Sequence, residues 1–131
     1  DRTLAWIPTL DRPRFFGLMQ RATALLDTIG FSGFNTAMQG LEAGLPVVAY
    51  EGEFMRGRLA SGPLRQAGLD ELVATSIPQF AEIALRLVDD EALGMRLRGE
   101  IAARRPALFE DPAPVRALEQ ALLDAALAAG R

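Results

Sequence analysis

The residues with the greatest chemical potential lie side by side. Ile29-Gly30-Phe31-Ser32-Gly33-Phe34-Asn35-Thr36 places two glycines, a serine, an asparagine and a threonine between a short apolar run and a helical pattern. Glycine lets a backbone approach a ligand closely, and the unpaired N–H groups and dipole of a helix N-terminus favour a phosphate or diphosphate. Asn35 and Thr36 add side-chain hydrogen bonds. Gln39 follows Asn35 by one helical turn, so its amide can face the same ligand and meet a ribose hydroxyl. Taken alone, an anion site and a plain tight turn with a helix cap stand about even here, because one Gly-rich turn is weakly specific. Gln39 by itself is more simply a polar helix residue.

Other candidates carry less. Glu42, Glu51 and Glu53 offer carboxylates for acid-base work, yet carboxylates at element ends are normally solvated and no pair of these stands out as catalytic. Arg56, Arg58 and Arg65 follow the strand that ends at Tyr50, at the same end of the sheet as the Gly-rich loop. A phosphate contact there competes with the commoner state of an exposed or carboxylate-paired arginine. Trp6 and Phe31 have faces able to stack on a base, although Trp6 inside a strand fits a core better.

Composition narrows the chemistry. The chain has neither Cys nor His, which excludes disulfides, thiolate-bound zinc, thiol catalysis and imidazole chemistry. Its 14 basic residues are all Arg, and 17 acidic residues give a net charge of -3. That balance argues against a sequence-independent nucleic-acid binder but leaves local phosphate binding open. No metal site suggests itself. No run approaches the roughly 20 apolar residues of a membrane span, and no basic segment leads into an apolar signal core. A soluble cytoplasmic protein is the expectation. With 131 residues, half of them hydrophobic, one domain over 1–131 is expected. The chain opens on Asp1 and enters a strand-like run at once, as a piece of a longer protein would.

The elements that must position the loop follow from periodicity. Thr3 to Ile7 is an apolar run closed by Pro8, suiting a buried strand. Asp11 suits an N-cap, with Pro13 in the first turn and Phe15, Phe16, Leu18, Met19 and Ala22 as the apolar positions of a helix. Ala24 to Leu26 forms a second short strand, and Asn35 to Ala43 a brief helix stopped by Gly44. Pro46 opens a strand over Val47 to Tyr50. Glu53 to Gly68 fits a helix interrupted near Ser61, Gly62 and Pro63, and Glu71 to Thr75 fits another strand. Ser76 with Gln79 makes a capping box for a helix through about Val88. A helix from about Asp90 to Arg104 comes next, and a last one is announced by Asp111 and Pro112 and closed by Gly130. Its apolar stripe, Val115, Leu118, Leu122 and Ala126, either packs on the domain or docks a preceding half. Alternating strands and helices predict an α/β fold, a Rossmann-like parallel sheet with helices on both faces and right-handed crossovers. Ligands of such sheets bind beyond the carboxyl ends of the strands.

Several ordered motifs then point to one family. LLDTIGFSGFNTAMQGLEAGLPVV and EGEFMRGRLASGPLRQAGLDELVA resemble the C-terminal catalytic region of the O-linked N-acetylglucosamine transferase and SPINDLY-type glycosyltransferases. The likeness runs through nearly the whole chain, from the run ending in Pro8 through Leu26-Asp27-Thr28, Ala43-Gly44-Leu45-Pro46 and the residues from Gly57 to Ser61.

This resemblance implies a GT-B enzyme whose C-terminal domain holds a UDP-sugar, often behind upstream helical repeats of the tetratricopeptide kind. It implies inverting transfer of GlcNAc or another hexose to a protein or other acceptor, with no obligatory metal or cofactor. By position it implies that Leu10 and Arg12 lie where uracil is recognised. It likewise implies that Gly33, Phe34, Asn35 and Thr36 hold the diphosphate and that Gln39 meets the ribose. The pattern departs from the eukaryotic transferases, which have His and two Thr at 34 to 36 and Asp at 39. Phe34 cannot donate to a phosphate oxygen, which leaves that work to backbone N–H groups and Thr36. The family's phosphate-binding Lys and its proposed base fall before Asp1, so no catalytic residue is assigned. The chain alone is expected to bind rather than turn over its donor, and to self-associate through the last helix. A UDP-sugar epimerase of the same plan and a non-catalytic scaffold of flavodoxin-like architecture are the alternatives.

Overall fold

The computed structural model describes residues 4–130. Thr3, part of the expected opening strand, lies outside the described residues. From Leu4 to Ile7 there is no strand, and Leu4 and Trp6 are 96% and 99% exposed. An apolar run becomes a strand only when a neighbour takes its backbone hydrogen bonds, and no strand of the described chain pairs with this one.

Helix α1 runs Arg12–Arg21, with Asp11 accepting the Arg14 N–H at 3.0 Å as its N-cap. Strand β1 is Leu25–Leu26, α2 is Phe34–Glu42, and β2 is Val47–Tyr50. Gly44 turns the chain between α2 and β2 at φ 76°, a conformation that favours glycine. The expected helix from Glu53 is instead a single 3₁₀ turn, Met55–Gly57, followed by α3 at Ser61–Gln66. Ser61-Gly62-Pro63 starts that helix rather than interrupting it, since a first-turn proline lacks an N–H that would have had no partner anyway.

A 3₁₀ turn at Asp70–Leu72 shortens the strand expected over Glu71 to Thr75 to β3, Val73–Ala74. Helix α4 is Ile77–Asp89. Its capping box is shifted by one residue: Ser76 accepts the Gln79 N–H, while the Gln79 side chain accepts from the N–H of Thr75. Helix α5, Glu91–Phe109, passes through Pro106 and outruns the expected end at Arg104. Docking outweighs the broken backbone bond there, because Leu108 packs on the core and Gln66 donates to the Ala107 carbonyl. Helix α6 is Ala113–Ala129, and its apolar stripe stays in solvent, for none of its residues is buried.

The three strands form a parallel sheet in the order β1-β2-β3. Val47, Val48 and Ala49 point alternately to opposite faces and are all fully buried, so both faces are covered, as the α/β expectation requires. Leu41, Leu64, Leu72, Leu87, Leu97 and Ile101 supply much of the covering core. Close approach of α2 depends on Gly40, where an added Cβ would meet Val47 at 3.1 Å and Leu25 at 3.2 Å. Two arginines of α5 stitch loops to this core. Arg98 donates to the carbonyls of Ala22 and Gly44, and Arg104 to those of Ala67 and Gly68.

Candidate donor-binding site

Parallel strands whose following helices start at one edge bring those N-termini together at the carboxyl ends of the strands. Here Asp27 directly follows β1, and its N–H donates to the Val48 carbonyl at 2.9 Å. Both oxygens of the Asp27 carboxylate are used within the loop. One accepts the Gly33 N–H at 2.8 Å and the other the Ser32 hydroxyl at 2.5 Å. Ser32 is only 2% exposed, and it joins two loops: its N–H donates to the Arg56 carbonyl at 2.7 Å and its hydroxyl accepts the Ala60 N–H at 2.8 Å. The segment after β2 is thereby fastened to the segment after β1.

Helix α2 starts where this network ends. Its first internal bond runs from the Ala37 N–H to the Gly33 carbonyl, and no side chain caps it. The N–H groups of Phe34, Asn35 and Thr36 therefore lack intrahelical acceptors at an exposed helix start. The Thr36 hydroxyl sits beside Gly33, within 3.9 Å of where a Cβ at that glycine would lie. Gly33 itself has φ of -94°, which any residue adopts. Space, rather than backbone freedom, is what a glycine offers there. Gln39 is half-buried one turn further along α2.

The remaining expected contacts are more spread out. Leu10 is half-buried and lines a groove with Ile7, Pro8, Phe15 and Leu18, while Arg12 stacks on Phe16 and lines another with Glu42. Glu42 is the last residue of α2, on the order of 14 Å along the helix from Gly33. Gly33, Phe34, Asn35 and Thr36 are contiguous, whereas Arg12 shares a groove with the far end of α2 and the groove of Leu10 is lined by no residue of α2. A third groove, of about 420 Å³, begins at Phe34 and runs past Met38, Arg58 and Leu59 to Leu108.

Glu51, at the end of β2, accepts from Arg65 at 2.5 Å and lies 3.6 Å from Arg58. The Arg65 hydrogen bond, more than any other contact, holds its carboxyl below the usual value and thus ionised. That removes it as a proton donor, and it occupies both arginines. Arg56 differs, stacking on Phe54 at 5.0 Å with no carboxylate partner among the described residues. Sequence reasoning passed over Asp27 and Ser32 as functional residues. Their signal was a carboxylate directly after an apolar strand, with a hydroxyl and a glycine five and six residues on.

An α/β sheet with an uncapped helix start at the carboxyl ends of its strands has the layout of a nucleotide-binding domain. Residues 17–112 match the model of glycosyl transferase family 41, and the chain belongs to that family. It is 33% identical over 93 residues to the UDP-N-acetylglucosamine--peptide N-acetylglucosaminyltransferase of Caenorhabditis elegans, covering 70% of this chain and 8% of that protein. In structure it is similar to a mutant O-GlcNAc transferase of Thermobaculum terrenum, with a TM-score of 0.78 and 35% identity. That match covers 86% of this chain and 22% of the other. The fold is the Rossmann-like, GT-B type that the motifs implied. The chain thus spans a small part of the relatives it matches. Among the described residues no helix is long and apolar enough to cross a membrane.

Proposed function

We propose that this chain is the donor-binding domain of an inverting glycosyltransferase that passes a hexose, GlcNAc or a relative of it, from a UDP-sugar to a protein or other acceptor. The observation that carries the reading is the uncapped start of α2, with Phe34, Asn35 and Thr36 at the carboxyl end of β1. As an acceptor hydroxyl or amide attacks the anomeric carbon, the bond to the diphosphate breaks and negative charge grows on the departing UDP. Fixed N–H groups and a helix dipole stabilise that charge without rearranging, which is the most effective form of electrostatic catalysis. No metal ion is needed in this scheme. The base that takes the acceptor proton belongs to another part of the enzyme in this reading.

Family membership and the C. elegans and T. terrenum relatives support the donor class, and Gln39 and Thr36 supply the hydrogen bonds for ribose and phosphate. Titration calorimetry of UDP into the chain and into Thr36→Ala tests the assignment. Binding that weakens about tenfold in the variant is expected, the loss of one hydrogen bond to a charged group. Equal affinity would remove Thr36 from the site, and no binding by either protein would favour a scaffold of the same fold.

A further inference from the structure

Resting on the donor-site reading above, we infer that Asp27 is the positioning residue of the diphosphate loop. It consumes the Gly33 N–H so that the three N–H groups after it stay aligned and free for the ligand. A carboxylate beside a diphosphate site is at first sight the wrong charge, and its hydrogen bonds explain its place there. Asp27 is anchored through its own N–H to β2, and its two oxygens are taken by Gly33 and Ser32. Those donors are neutral, and among the described residues no arginine forms an ion pair with it. Its charge is therefore drawn into the loop by hydrogen bonds rather than cancelled by a cation, and ionised acceptors make the stronger bonds.

The arrangement has a second consequence. Ser32 cannot turn its hydroxyl hydrogen elsewhere while it serves Asp27, so its lone pairs are directed to the Ala60 N–H. One carboxylate thus sets both the start of α2 and the segment from Arg56 to Ala60. Asp27 need not touch the ligand. It fixes where the amides point, and a loop a fraction of an ångström out of place loses such contacts steeply.

Geometry and charge can be separated experimentally. Asp27→Ala removes both acceptors, whereas Asp27→Asn keeps a carbonyl oxygen for the Gly33 N–H but sets an NH2 donor against the Ser32 hydroxyl. Calorimetric UDP affinity of each folded variant, read beside its melting temperature, is the measurement. Asp27→Ala is expected to bind UDP about tenfold more weakly, the loss of a charged hydrogen bond, and Asp27→Asn, which keeps an acceptor for Gly33, to fall between it and the unaltered chain. A folded Asp27→Ala with unaltered affinity would overturn the inference, as would an Asn variant as weak as the Ala one. Should Asp27→Ala not fold, Ser32→Ala carries the test and is expected to weaken UDP binding with Asp27 intact; unchanged affinity there overturns the coupling. Failure of the unaltered chain to bind UDP would instead remove the donor-site reading, and this inference with it.

Discussion

The Asp27 carboxylate and the Ser32 hydroxyl meet at 2.5 Å, beneath the loop that starts α2. Both residues belong to the stretch between β1 and α2, yet their joint effect reaches the chain after β2, because Ser32 also accepts the Ala60 N–H. The start of α2 is therefore held from below by protein and left open from above. That asymmetry is what a preorganised anion site needs, and it sets the following expectations.

Gly33→Ala separates folding from binding. The φ of Gly33 suits any residue, and an added Cβ would meet nothing nearer than Asp27 at 3.7 Å. Stability should change by no more than about 1 kcal/mol, the usual cost of alanine at an N-cap. UDP affinity should still fall, because the methyl would sit 3.9 Å from the Thr36 hydroxyl assigned to the phosphate. Denaturant melts and calorimetry on the same preparation would check this, and unchanged affinity would mean that no ligand approaches over Gly33.

Gly40→Val should behave in the opposite way. A Cβ there already crowds Val47 and Leu25 at 3.1 and 3.2 Å, and two further methyl groups must push α2 off the sheet. Overpacking of this kind costs about 3 kcal/mol, which exceeds the few tenths of a kcal/mol, roughly, of helix propensity that valine gains over glycine. Urea unfolding should show the loss directly, and a midpoint equal to the parent would refute the close packing of α2.

Acid should loosen the junction of β2 with α3. Arg65 above all, with help from Arg58, lowers the Glu51 carboxyl below its ordinary value of 4.5. Arg96 does the same for Glu71. A carboxyl depressed in the folded state stabilises fully above its unfolded pKa, and that contribution is lost as pH falls through the folded one. Melting temperature should hold from pH 7 to about 5 and then decline below 4.5, less steeply in Glu51→Gln. An identical decline in the variant would show that Arg65 and Glu51 are not coupled.

Removing α6 should leave the domain standing. None of its residues is buried, although Leu118 and Leu122 are each 62% exposed and apolar. A chain ending at Glu110 should melt within about 2 °C of the parent, since surface changes rarely exceed about 0.5 kcal/mol. Any self-association of the parent should diminish with it. A large fall in melting temperature would place α6 against the core in solution.

The sequence reveals those parts of the molecule whose physics is local. Caps at Asp11 and Ser76, the Gly44 turn, and the run from Val47 to Tyr50 are recognisable because each depends on a few neighbouring residues. The Leu4 to Ile7 run, the segment from Glu53 and the end of α5 depend on distant partners. Trp6 lacked a strand to pair with, and Pro106 was outweighed by Leu108 and Gln66. At the site, the glycines and Thr36 were legible from composition and motif. Asp27 and Ser32 were not, since their role arises when two loops 28 residues apart are brought into one hydrogen-bonded cluster.

The central claim, that free amides at the start of α2 receive a diphosphate, is most directly tested by following backbone amide resonances during titration with UDP and, separately, with uridine. The account predicts large shifts at Phe34, Asn35 and Thr36 with UDP and little change there with uridine, which lacks the phosphates. Resonances at 34 to 36 that stay in place as UDP saturates the protein would contradict it.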